Sequence, residues 1–314
     1  MNVIMTAPRL AEPAAALLEQ AGATIHYMRP FPNAAEVAAL AKAVDAVAIL
    51  SRQGPVTAEV MDAAPNLQIV ARHGVGVDDV DLAEAARRGI VVTRAPGSNT
   101  VAVAEHTLAL ILALAKRLPT FSAQIARGGW REGGDKARDV AGLRLGLVGC
   151  GAIGQAVARL AAAFGMDVAG YDPIVTEAAH IPHLTRDLPT LLRRSDVLSL
   201  HVPLTPATRH LIGAAELSAL PHGALVINTA RGGLIDESAL AQALATGQVE
   251  AAGLDVFESE PPQADNEFRD HAKVIVTPHV AGVTDGSLVN MGLMAAECIV
   301  AKLQGRTIAR ERIV

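Results

Sequence analysis

The chain has 314 residues, enough for two domains, and is 51% hydrophobic with only 3% aromatic residues. That aliphatic balance suits parallel α/β layers, whose buried strands are rich in Val, Ile and Leu and whose helices are rich in Ala. The formal net charge is −5 with no long like-charge blocks, which argues against a nucleic-acid surface and against a polybasic membrane patch.

The opening stretch "MNVIMTAPRLAEPAAALLEQ" has no basic segment followed by an apolar one, so no secretory leader is expected. Short apolar runs at 2–7, 23–28, 46–50, 67–72 and 89–94 read as strands, with amphipathic stretches such as "DLAEAARRG" between them. A long helix is predicted over 99–118, opened by Asn99 or Thr100 and closed before Pro119. Its apolar part, 101–115, contains Glu105 and His106 and is too short to span a bilayer. His106 is read as a packing or interface residue, and Trp130, the single tryptophan, as an interface aromatic.

From 143 the rhythm resumes, with strands expected at 143–149, 166–172, 196–202, 223–229, 249–256 and 272–280. A second long helix is expected over 284–304, opened by Thr284 or Asp285 and ended by Gly305. Two β-α-β series predict two doubly wound parallel sheets of the Rossmann-like α/β class. The two long helices flank the second series. They place the domain boundaries so that 99–283 is inserted into a discontinuous domain of 1–98 and 284–314. Cys150 and Cys298 are far apart and form no C-x-x-C pair, so a reducing, cytoplasmic setting is expected. The histidines show no metal-ligand spacing, and no metal is expected.

Residues 149–154 read "GCGAIG". Alone, G-x-G-x-x-G is a weak pattern; here an aliphatic strand runs into it and a helix opens at its third glycine. A second strand then ends at Asp172, about twenty residues on. Gly149 suits the tight turn, Gly151 close approach to a pyrophosphate, and Gly154 helix–strand packing. The helix start, at Ala152 and Ile153, offers N–H groups to phosphate. Asp172 would accept hydrogen bonds from ribose hydroxyls and repel a 2′-phosphate, which favours NAD over NADP.

Past later strand ends stand Arg231, Asp255, Glu260 and His279. An imidazole can exchange a proton with a carbonyl or alcohol oxygen, a carboxylate can orient it, and a guanidinium can hold a substrate carboxylate. Singly each has an ordinary reading: a surface arginine, a loop carboxylate, a structural histidine. Together, behind the glycine motif, they point to carbonyl/alcohol redox chemistry.

These segments give the chain a resemblance to the D-isomer-specific 2-hydroxyacid dehydrogenases, in their D-3-phosphoglycerate dehydrogenase-like branch. It is carried by "RHGVGVDDVDLAEAARRGI", "GLVGCGAIG", "HVPLTPATRHLI", "NTARGGLIDE", "GLDVFESEPP" and "TPHVAG". The resemblance implies an NAD-dependent oxidoreductase in which Arg231 binds the substrate carboxylate and His279 is the acid/base, paired with Glu260. It implies that Asp255 meets the nicotinamide carboxamide, and that Val202, Pro203, Thr208, Thr229, Ala230, Arg231, His279 and Gly282 line the cofactor site. Val75 and Gly76 resemble a loop whose backbone N–H groups hold the substrate carboxylate. Arg52 is the candidate for the substrate's distal group, although the order here is Ser51-Arg52 where related sequences carry Arg-Ser.

Implied substrates are 2-oxo or 2-hydroxy acids: 3-phosphohydroxypyruvate, hydroxypyruvate, glyoxylate or a bulkier acid. A phosphorylated one would need a basic cluster, for which Arg52 and Arg72 are available. A homodimer is implied, and no C-terminal regulatory domain is expected after Val314. The rivals are a non-catalytic NAD-sensing interaction protein on the same scaffold and a formate-type dehydrogenase. The carboxylate at Glu260 argues against the second.

Overall fold

Strands and helices alternate along the chain, and the strands named here pair in parallel. The structure is a computed structural model and describes residues 1–131, 133–134 and 136–314. The first stretch holds β1 (Asn2–Met5), α1 (Glu12–Gln20), β2 (Thr24–Tyr27), α2 (Ala34–Val44) and β3 (Ala48–Ser51). It continues through α3 (Ala58–Ala63), β4 (Ile69–Arg72), α4 (Leu82–Arg88) and β5 (Val91–Thr93). Next come α5 (Thr100–Ala115), α6 (Leu118–Ala126), β6 (Arg144–Val148), α7 (Ala152–Ala163), β7 (Asp167–Tyr171) and β8 (His183–Thr185). They are followed by α8 (Leu188–Leu192), β9 (Val197–Leu200), α9 (Ala214–Ala219) and β10 (Ala224–Asn228). The last elements are α10 (Glu237–Thr246), β11 (Val249–Leu254), β12 (Val274–Val276) and α11 (Asp285–Leu303). The chain divides into two compact units, Met1–Asn99 with Val283–Val314, and Thr100–Gly282.

The first unit is a five-stranded sheet of order β2-β1-β3-β4-β5. Strand side chains alternate between faces, so Val3 and Met5 pack with α1 and α11 while Ile4 packs with α2 and α3. Helix starts are set by local chemistry. At α2, Asn33 Oδ1 accepts from Glu36 N and Glu36 Oε2 accepts from Asn33 N, a reciprocal cap worth about 1 kcal/mol. Thr284 caps α11 through Ser287 N. At 19 residues, α11 is long and apolar enough to cross a bilayer, a length that the apolar stretch 101–115 does not reach. Its Ala295, Ala296, Ile299 and Val300 are buried against the sheet.

The second unit is a seven-stranded sheet of order β12-β11-β10-β9-β6-β7-β8. Leu145, Leu147, Leu225 and Ile227 face α5 and α7. Leu198, Leu200 and Val226 face α8, α9 and α10 on the other side. Two expectations change. The helix over 99–118 ends at Ala115, Arg117 turns left-handed (φ 51°), and α6 begins with Pro119 in its first turn. Proline has no N–H to give the carbonyl four residues back and its ring crowds that carbonyl, so the helix stops and restarts. Strand β8 has no counterpart among the expected strands; three partly exposed residues at the sheet edge carry no alternation to detect.

Candidate active site

β6 is apolar and buried, and it ends where the strand order reverses between β7 and β9, the place where open parallel sheets collect ligands. Gly149 there has φ +99°, and a Cβ on it would lie 2.5 Å from the His201 carbonyl oxygen. A Cβ on Gly154 would lie 2.1 Å from the Gly149 oxygen, so only glycine lets α7 start so close to the turn. Gly151 instead faces open space, with nothing within 4 Å of where its Cβ would stand. No side chain caps α7, whose first N–H groups, from Ala152 and Ile153, and positive dipole end are directed at that space. This cradle fits a pyrophosphate.

Asp172 follows β7. Its Oδ2 accepts from Cys150 N, and its Oδ1 from Ile174 N and Val175 N, each at 2.9 Å. Burial opposes its ionisation, but these three donors outweigh that and hold the carboxyl below the usual carboxylate range. Asp172 therefore braces the glycine turn, a role not read from the sequence. An ionised carboxylate has about four acceptor sites, so capacity for a ribose hydroxyl remains. Burial first, then Asp172, pushes the Cys150 thiol up to about 12, consistent with a small filler rather than a nucleophile. After β9, Val202 stands against Gly149. Thr208 Oγ1 donates to the Pro203 carbonyl at 2.7 Å and closes that loop.

The segments after β10, β11 and β12 carry the candidate residues Arg231, Glu260 and His279. The buried Asn228 accepts from Ala230 N at 3.0 Å and donates to the Arg231 carbonyl at 2.7 Å, so its side chain shapes the turn that presents Arg231. A Cβ on Gly232 would lie 1.9 Å from the Phe257 carbonyl carbon, which shows how closely this turn abuts the segment leading to Glu260. Glu260 Oε1 accepts from Phe257 N at 3.1 Å, and Oε2 lies 2.6 Å from His279 Nδ1. Burial opposes ionisation of Glu260, but His279, the Phe257 amide and the Arg231 charge together hold its carboxyl below the usual range. With Nδ1 engaged, Nε2 is the imidazole nitrogen that can exchange a proton with a ligand.

His279 has φ 53°, in the left-handed region. It is held by its own N–H, which donates to the Asp255 carbonyl at 2.8 Å. The Asp255 carboxylate, 1% exposed, accepts from Thr277 Oγ1 at 2.5 Å, Val280 N at 2.9 Å and Ala281 N at 2.8 Å. Asp255 thus clamps 277–281 to β11, where the resemblance implied only a contact to nicotinamide. Thr229 is nearly buried and pairs with Thr107 Oγ1 at 3.0 Å. Gly282 ends the second unit. His106, read as packing or interface, contacts Thr277 Oγ1 through Nε2 at 3.1 Å. Asn228, Thr277 and His106 escape sequence reasoning because ordinary polar residues gain a role only when folding brings their partners close.

In the first unit, Arg72 Nε donates to the Gly76 carbonyl at 2.8 Å, beside Val75, and Nη1 donates to the Arg52 carbonyl at 3.0 Å and to Asp79 Oδ2 at 2.7 Å. The expectation that Arg72 is available to a phosphate is corrected by this: its guanidinium is committed to Asp79 and to the loop carbonyls. Arg52 N donates to Thr6 Oγ1 at 2.8 Å, and burial, then Arg72, pull its guanidinium below its ordinary pKa.

Residues 108–281 match the D-isomer specific 2-hydroxyacid dehydrogenase, NAD binding domain. The chain is 42% identical over 259 residues to D-3-phosphoglycerate dehydrogenase of Archaeoglobus fulgidus, an alignment covering 82% of this chain and 49% of that one. It is 40% identical over 250 residues to hydroxypyruvate reductase of Thermotoga maritima, covering 79% and 81%. A crystal structure of a Thermus thermophilus protein superposes with TM-score 0.90 at 38% identity, covering 100% of both chains. The chain spans about half the length of the phosphoglycerate dehydrogenases it matches.

Proposed function

This chain belongs to the D-isomer-specific 2-hydroxyacid dehydrogenase family, in its D-3-phosphoglycerate dehydrogenase-like branch, and on that premise we propose that it interconverts a 2-oxo acid and its D-2-hydroxy acid. The observation that carries this is the 2.6 Å pair of His279 Nδ1 and Glu260 Oε2 in the same unit as Arg231 and the glycine turn. NADH, when bound, supplies a hydride to the carbonyl carbon. His279 gives a proton from Nε2 to the carbonyl oxygen as that carbon is reduced, and takes it back in the reverse direction. Glu260, 2.6 Å from Nδ1, orients the ring. Arg231 holds the substrate carboxylate by a two-pronged charge-assisted bond.

The substrate we propose is a small unphosphorylated 2-oxo acid such as hydroxypyruvate or glyoxylate. A phosphate calls for paired cations, and Arg72, one of the two arginines suited to that task, is tied to Asp79 at 2.7 Å. The likeness to a hydroxypyruvate reductase agrees with this choice. NADH oxidation measured with glyoxylate, hydroxypyruvate and 3-phosphohydroxypyruvate tests both proposals. Turnover with the first two at higher kcat/KM supports them, and preference for the phosphorylated acid sinks the substrate choice. No turnover with any 2-oxo acid would leave the non-catalytic NAD-sensing reading. We also assign a second copy of the chain to the exposed apolar side chains of Leu118, Ile125 and Trp130.

A further inference from the structure

We propose that His106 and Thr107, consecutive on α5, are positioning residues that set the two loops carrying His279 and Arg231. The inference rests on the dehydrogenase reading for its effect on rate, but its structural content stands apart from it.

Thr277 has one hydroxyl proton. It is given to Asp255 Oδ1 at 2.5 Å. Thr277 Oγ1 is therefore the acceptor for His106, which assigns the proton to His106 Nε2 at 3.1 Å. Asp255 in turn receives Val280 N and Ala281 N on its carboxylate, and His279 N on its carbonyl. The chain His106–Thr277–Asp255 so grips both flanks of a histidine held at φ 53°. One residue on, Thr107 Oγ1 donates to the Val103 carbonyl at 2.8 Å and is left to accept from Thr229 Oγ1 at 3.0 Å. Thr229 lies in the Asn228–Arg231 turn, so α5 reaches both loops from adjacent positions.

A separate observation shows how firmly α5 is seated. A Cβ on Gly253 of β11 would lie 3.1 Å from Leu110 Cβ, so the helix touches the strand with no room for a larger residue. Leu108, Leu110, Ile111 and Leu114 are buried on the same side. A rigid helix with two polar arms can hold reacting groups to the tolerance that chemistry demands, where about 1 Å of misplacement can cost roughly a hundredfold in rate.

The test compares His106→Leu, the near-isosteric Thr277→Val and the conservative His106→Gln with the natural protein. Amide hydrogen exchange at Val280 and Ala281 is expected to quicken about tenfold in the first two, the scale of one lost hydrogen bond, while β6 and β9 stay protected. His106→Gln, which keeps a donor, should restore protection. The same two variants should lose about tenfold in kcat with the KM for NADH within about threefold. Thr107→Val should act chiefly on the KM of the 2-oxo acid, through Arg231. Unchanged exchange at Val280 and Ala281, or faster exchange throughout the unit, overturns the pinning. Faster local exchange with unchanged kcat overturns the positioning role. A natural protein that turns over no 2-oxo acid counts against the dehydrogenase reading, and the exchange pattern then decides the pinning alone.

Discussion

His279 illustrates how residue type and placement divide the work. Its identity provides an imidazole that can pass a proton, and Glu260 at 2.6 Å fixes which nitrogen faces a ligand. His279→Ala should lower kcat by about 10²- to 10⁴-fold, while NADH binding followed by fluorescence titration stays within about threefold. Glu260→Gln keeps the shape and removes the charge, so a smaller loss, about ten- to a hundredfold, is expected. If His279→Ala retained more than about a tenth of the natural kcat, the acid/base assignment would fail. These residues were legible in the sequence because each stands just past an apolar strand. Asp172 and Asp255 were legible only in part: the sequence marks carboxylates at strand ends but not the three donors each one collects.

At the scale of elements, the β-α-β rhythm was readable because buried parallel strands are short aliphatic runs between amphipathic helices. The exceptions have local causes. β8 is brief and at an edge, so burial never imposed a pattern on it. The helical pattern after residue 99 continues to its proline, but α5 stops at Ala115, four residues before it, and the proline falls in the first turn of α6. α6 has no buried residue, and Leu118 at 56%, Ile125 at 55% and nearby Trp130 at 74% exposure leave it an uncovered apolar surface. Ile125→Asp with Trp130→Glu should therefore shift sedimentation from dimer to monomer at micromolar concentration while the circular dichroism of the fold is kept. A natural protein that sediments as a monomer would remove the assignment of a second copy to this surface.

For the whole molecule, the buried His73 and the half-buried His201 predict how stability follows pH. An unfolded imidazole titrates near 6.5; burial lowers His201 to about 4, and burial with Arg52 and Arg72 lowers His73 to about 4. Between those values the unfolded chain binds protons that the native chain refuses, so stability is full above about 6.5 and falls as pH drops toward about 4. Each histidine contributes a slope of roughly 1.4 kcal/mol per pH unit in that window. Urea midpoints followed by circular dichroism at pH 7 and pH 4.5 should differ accordingly, and a flat midpoint would contradict the lowered imidazole pKa values.

The sequence by itself determined the class of fold and the dinucleotide turn, and it marked Arg231, Glu260 and His279 as candidates. Each of those depends on local pattern: periodicity, glycine spacing, or a polar residue closing an apolar strand. Only the tertiary structure decided which groups Asp172, Asp255, Arg72 and His106 serve. His106 and Thr277 stand 171 positions apart along the chain, and the 3.1 Å between them exists only because α5 packs across β10 and β11. A hydrogen bond needs its partner within about 3 Å, and no spacing rule along a sequence can supply that.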